Sequence, residues 1–188
     1  MDSGLHAEIE GVLARLKSRH PDLAKRLEES RGYAVFPSMG RAGAVLGASH
    51  GKGEVFDQGK VIGSATLSQL TIGVQVGGQT YTEILFFGDK EALERVKSGS
   101  ISFTANASAA LVKAAASGTT DFKGVGATAF SQGGELLEAA LGGQKFTFIS
   151  PQAERQQSEE QARKKEEKER EGKEPGLVSK IAEKLGRD

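Results

Sequence analysis

Glycines recur between positions 40 and 78 at intervals that suit neither a helix nor an ordinary loop. Gly40, Gly43, Gly47, Gly51 and Gly53 come first, Gly59 and Gly63 follow, and Gly73, Gly77 and Gly78 close the run. The pieces between them are short and apolar or β-branched, among them Ala44-Val45-Leu46, Glu54-Val55-Phe56 and Lys60-Val61-Ile62. Glycine lets a backbone bend sharply or approach a neighbour closely, so this rhythm predicts short, curved strands. It also leaves few side chains suited to covalent chemistry.

The 188 residues suffice for one domain with extensions. The formal net charge is zero, so no global field favours nucleic acid, and none is expected as a partner. The absence of cysteine excludes disulfides, thiolate metal sites and a cysteine nucleophile. His6, His20 and His50 stand singly, which predicts no metal and no cofactor site. Met1-Asp2-Ser3-Gly4 carries no basic-then-apolar signal, and no apolar run is long enough to cross a bilayer. The expectation is a cytoplasmic chain, peripheral at a membrane if it touches one.

Three regions divide the chain. In residues 1–32, Leu5, Ile9, Val12, Leu13 and Leu16 recur at helical spacing, and Leu23 and Leu27 continue the stripe beyond Pro21. Two helices breaking near His20-Pro21 are predicted, with Gly32 as the stop. Residues 33–150 read as a β body. A first strand is expected to end at Val35-Phe36-Pro37, because proline cannot continue a central ladder. Residues 54–56 and 60–66 read as hairpin arms around Asp57-Gln58-Gly59. Residues 70–76 and 79–87 read as a further pair or one bent strand, 90–98 as a short helix, and 103–112, 122–130 and 145–149 as later strands. Residues 136–141 fit either a strand or a helical turn. Residues 151–188 form a charged extension. Its 152–174 segment is rich in Glu, Lys and Arg and reads as an exposed helix or as disorder. After Pro175-Gly176, Leu177, Val178, Ile181 and Leu185 give a short amphipathic tip.

The chemical motifs are thin. Residues 124–129 (Gly-Val-Gly-Ala-Thr-Ala) fit G-x-G-x-x-A by letter, but no helix is expected to follow, so a strand of small residues is the better reading. His50-Gly51-Lys52-Gly53 lacks the Walker spacing and reads as a turn with a solvated histidine. Glu54, Asp57 and Glu83 read as strand-edge acids facing solvent. No catalytic residue is assigned.

Taken together, Val35-Phe36-Pro37, the ladder Gly43, Gly47, Gly51-Lys52-Gly53, the segment Gly73-Val74-Gln75-Val76-Gly77-Gly78 and the strand Glu83-Ile84-Leu85-Phe86-Phe87 before Glu91-Ala92-Leu93 resemble the SYLF domain family. The resemblance covers about residues 34–149 and rests on the order and spacing of these motifs. That family includes bacterial lipoprotein-like proteins and eukaryotic lipid- and actin-binding modules. The resemblance implies an α+β fold: a small, strongly bent antiparallel β-barrel with packed N-terminal helices, here followed by a charged helical extension. It also implies a non-enzymatic module that binds anionic membrane lipids, phosphoinositides among them. Arg15, Lys17, Arg19, Lys25 and Arg26 form the basic cluster that would meet such lipids. The apolar face of the first helix would either enter the headgroup boundary or cap the barrel. The alternative is a protein-interaction or structural module docking through the C-terminal tip. A third is an enzyme with a polar constellation inside the barrel, which a sequence does not display.

Overall fold

The computed structural model describes residues 2–42, 46–72, 80–103, 124–137 and 144–171. The chain divides into two compact units, Met1–Pro151 and Gln152–Asp188. The fold is α+β, with an antiparallel sheet that curls into a half-barrel.

Helix α1 (Ser3–Arg19) starts where the Asp2 carboxylate accepts hydrogen bonds from the Gly4 and Leu5 amides. It stops at His20, and Pro21 opens α2 (Pro21–Glu29) at the position where a missing N–H costs nothing. Gly32 is not the helix stop. Ser30 caps α2, and Gly32 begins strand β1, where a Cβ would lie 2.6 Å from the Phe56 carbonyl oxygen.

Strand β1 (Gly32–Ala42) passes through Pro37 rather than ending there. It is a central strand, flanked by β2 (Leu46–Asp57) and β4 (Tyr81–Phe87). Proline is tolerated because the ladder is irregular on both sides of it. The register shifts between Val35 and Gly40 against β2, and between Phe36 and Met39 against β4. The bulge removes the need for the amide proton that proline lacks.

The hairpin at Gln58-Gly59 forms as its sequence predicts. Both residues have positive φ, 48° and 78°, as a type I′ turn requires. Its second arm is longer than expected: β3 runs from Lys60 to Ile72 and pairs with β2 throughout. His50-Gly51-Lys52-Gly53 is therefore no turn; it lies in mid-strand opposite residues 65–68. Helix α3 (Lys90–Lys97), capped by Asp89, matches its prediction. Strands β5 (Ser100–Phe103), β6 (Val125–Ser131), the two-residue β7 (Leu136–Leu137) and β8 (Gln144–Ile149) complete the sheet. The rest of the 103–112, 70–76 and 136–141 segments lies outside the described residues. The order is β5-β8-β3-β2-β1-β4-β6-β7, antiparallel throughout, and no described ladder joins the two edges.

Two apolar cores sit on opposite faces. On one, α1 and α2 bury Ile9, Val12, Leu13, Leu16, Leu23 and Leu27 against Tyr33, Val35, Phe56, Ile84, Phe86 and Phe130. The other gathers Phe36, Met39, Val55, Leu67, Leu85, Phe87 and Phe146 with Leu93 and Val96 of α3. This second face is the concave one. Phe146 of β8 meets Phe87 of β4 edge-on at 6.3 Å, although three strands separate β4 from β8 in the sheet. Glycines permit the curl. At Gly53 a Cβ would lie 2.2 Å from the Val35 carbonyl oxygen, and at Gly63 2.6 Å from the Phe148 ring.

In the second unit, helix α4 (Pro151–Glu171) is charged and largely exposed, with Glu160 and Lys164 paired at 2.6 Å one turn apart. The apolar tip at 177–185 lies outside the described residues.

Candidate functional site

Two features stand out, one on each face of the sheet. The first is the helical layer that carries the predicted basic cluster. Its apolar stripe is not free for a membrane: Ile9 and Leu16 are fully buried against the sheet. The five cations divide by role. The Arg19 guanidinium donates to the Gly133 carbonyl, and the neighbouring His20 ring lies 2.7 Å from the Gly134 carbonyl oxygen. Arg26 lies over the Phe86 ring at 5.5 Å and reaches Thr128 Oγ1, so it braces α2 on β4 and β6. Lys25 pairs weakly with Glu29 at 3.8 Å. Arg15 and Lys17 are exposed, and no ion pair engages them among the described residues. The exposed acids Glu8, Glu10, Glu28 and Glu29 share this layer.

The same layer hides a contact that its sequence does not suggest. Glu54 is 2 % exposed, on the helical face of β2, and its Oε2 lies 2.8 Å from His6 Nδ1 of α1. The expectation of solvated strand acids fails here because α1 covers the strand. The hydrogen bond and charge of Glu54 raise the His6 pKa above its ordinary value, with Glu10 at 3.6 Å adding to the effect. Asp57 meets Arg31 at 3.2 Å and is half-buried.

The second feature is a polar layer on the concave face, at the end of β4 away from α3. Glu83 is 2 % exposed, and Gln144 Nε2 donates to its Oε1 at 2.7 Å. Tyr81 donates to Gln69 Oε1 at 3.2 Å, and Ser49, opposite Gln69 in the ladder, is 1 % exposed. Burial pushes the Glu83 pKa up to about 7, against the opposing hydrogen bonds from Gln144 and Tyr81. The sequence gives one weak signal for this layer: Glu83 shares a strand parity with Tyr81, Leu85 and Phe87, an inward-facing set.

Elsewhere, His50 Nδ1 lies 3.0 Å from Ser68 Oγ across β2 and β3. Both residues are exposed, and no described carboxylate orients the imidazole. Residues 125–129 form the body of β6, a strand of small residues as expected. Among the described residues, no cluster of three or more His, Asp or Glu could hold a metal ion. No described helix is long and apolar enough to cross a membrane. The chain matches no protein-family model and no curated protein.

Proposed function

We propose that the chain is a SYLF-like, non-enzymatic module that docks peripherally on anionic membrane lipids, phosphoinositides among them, through the cationic rim of its helical layer. One observation carries this reading: Arg15 and Lys17 stand exposed on α1 while that helix keeps its apolar stripe against the sheet. Contact of this kind is electrostatic and superficial, with Lys25 as a third contributor. Arg19 and Arg26 serve the fold first, because their guanidinium groups are engaged by the 133–134 turn and by Phe86. The half-barrel agrees in kind with the bent barrel that the family resemblance implies. Each cation near an anionic surface adds about 1 kcal/mol, so two or three give a weak, reversible association.

Co-sedimentation of the full chain with vesicles tests this. Phosphatidylcholine vesicles carrying phosphatidylserine or a phosphoinositide should retain the chain, and pure phosphatidylcholine should not. Reversing Arg15→Glu and Lys17→Glu together should weaken retention by roughly tenfold or more without disturbing the fold. Equal retention on neutral vesicles, or by the double variant, contradicts the reading. A second reading draws on α4: a 21-residue helix charged along its length suits a spacer that presents a docking tip to a protein partner. Loss of a partner on removal of residues 177–188, with vesicle binding absent throughout, would favour it.

A further inference from the structure

The concave polar layer holds two oxygens that lack partners and sit on two groups already joined. Glu83 Oε2 and Gln144 Oε1 are both fully buried without a hydrogen bond, while Glu83 Oε1 and Gln144 Nε2 are bonded at 2.7 Å. Leaving buried acceptors unsatisfied is costly, and burying an ionised carboxylate with only neutral donors, here Gln144 and Tyr81, is costlier still. A carboxyl and an amide are both planar, and one proton between the two free oxygens would satisfy both. The amide would donate to Oε1, and the protonated Oε2 would donate back to the amide oxygen.

We propose that Glu83 and Gln144 form a proton-dependent clasp across the concave interior, closed when the Glu83 carboxyl carries its proton on Oε2 and loosened when it ionises. The clasp matters because of where it lies. It ties β4 to β8, strands with β1, β2 and β3 between them, so it holds the curl itself rather than a neighbouring ladder. Among the described residues, no cation faces Glu83 to hold it ionised; burial opposes its charge, while the Gln144 and Tyr81 hydrogen bonds only partly offset that. From its own strand comes Tyr81, whose hydroxyl hydrogen-bonds to the carboxyl; Phe36 of β1 and Ala129 of β6 are the lateral neighbours of Glu83, and Gln144 comes from β8. Gln69 of β3 and Ser49 of β2 complete the layer without a charge. The charged or titratable residues described on these strands and on α3, His50, Lys52, Glu54, Asp57, Lys60, Lys145, Lys90, Glu91, Glu94, Arg95 and Lys97, lie on other faces or in solvent, Glu54 under α1 and Asp57 against Arg31. The upward displacement of the Glu83 pKa by burial agrees with the geometry. This inference is independent of any lipid contact.

The test is a site-resolved titration of the full chain by NMR, following the Glu83 side-chain carboxyl and the Gln144 side-chain amide from pH 4.5 to 8.5. The two should titrate together with a single midpoint near 7. A Glu83 carboxyl that titrates in the usual carboxylate range overturns the clasp, and so does a Gln144 amide blind to that titration. Urea unfolding supplies an independent arm. The folding constant of the native chain should fall on the order of a hundredfold more between pH 5 and pH 8 than that of Glu83→Gln, whose amide can make both bonds at any pH. Equal pH slopes overturn the proposal. Should Glu83→Gln not fold, the NMR titration of the native chain decides alone.

Discussion

Buried acids are the residues whose environments the chain specifies most sharply. For Glu83 the sign of the pH effect follows from its raised pKa: the folded state holds the proton more tightly than the unfolded one. Its contribution is therefore fully present below the ordinary value of 4.5 and is lost as pH rises towards about 7. That displacement corresponds to about 3 kcal/mol. His6 titrates with the same sign for a different reason. Its protonated form is favoured in the folded state by Glu54, so the stabilisation is full below 6.5 and disappears as pH rises through the higher folded value. Thermal melts of His6→Ala against the native chain should show a deficit at pH 5.5 that narrows by pH 9. A deficit constant across that range would assign His6 a packing role alone. By residue type Glu54 and Glu83 look like ordinary strand acids in the sequence, because burial depends on which element lies over them. By its parity with Leu85 and Phe87, Glu83 already points inward.

At the scale of elements, the glycines separate into positions that need glycine and positions that do not. A Cβ at Gly53 would strike the Val35 carbonyl at 2.2 Å and the Phe36 ring at 2.7 Å. Gly53→Ala should therefore cost about 2 kcal/mol or more, measured by urea unfolding. Gly11 in α1 is exposed, with nothing within 4 Å of a Cβ, and Gly11→Ala should stabilise by about 0.5–1 kcal/mol. Finding the two substitutions equal would contradict the assignment of β2 glycines to close strand packing. The N-terminal helices were legible because their apolar period and proline start agree with one another. The Gln58-Gly59 hairpin was legible for the same reason. Pro37 misleads because a bulge is a property of two strands together, and one strand's sequence does not announce it. His50-Gly51-Lys52-Gly53 misleads because glycine and charge mark turns in most chains, whereas here the alternate positions face opposite sides of a long curled strand.

For the molecule as a whole, the half-barrel distributes its chemistry onto two faces. The convex face gives its apolar surface to α1 and α2, which leaves cations and acids for solvent. The concave face gives its apolar surface to itself and to α3, and keeps one polar layer inside. Phe146 of β8 reaches across the curl, packing on both Phe36 of β1 and Phe87 of β4. Phe146→Ala should cost about 3–5 kcal/mol in urea unfolding, as expected of a buried aromatic at a junction. The docked helical layer also fixes the form that membrane contact can take. A layer that stays docked offers its exposed charges and not its apolar stripe, and such contact weakens as salt screens it over a Debye length of about 8–10 Å near physiological ionic strength. The deciding measurement is a salt series of full-chain co-sedimentation with anionic vesicles. Retention that falls steeply as salt rises is the outcome predicted for cations on a docked layer. Retention indifferent to salt would mean that the stripe of Ile9, Val12, Leu13 and Leu16 leaves the sheet to enter the lipid, and would contradict it.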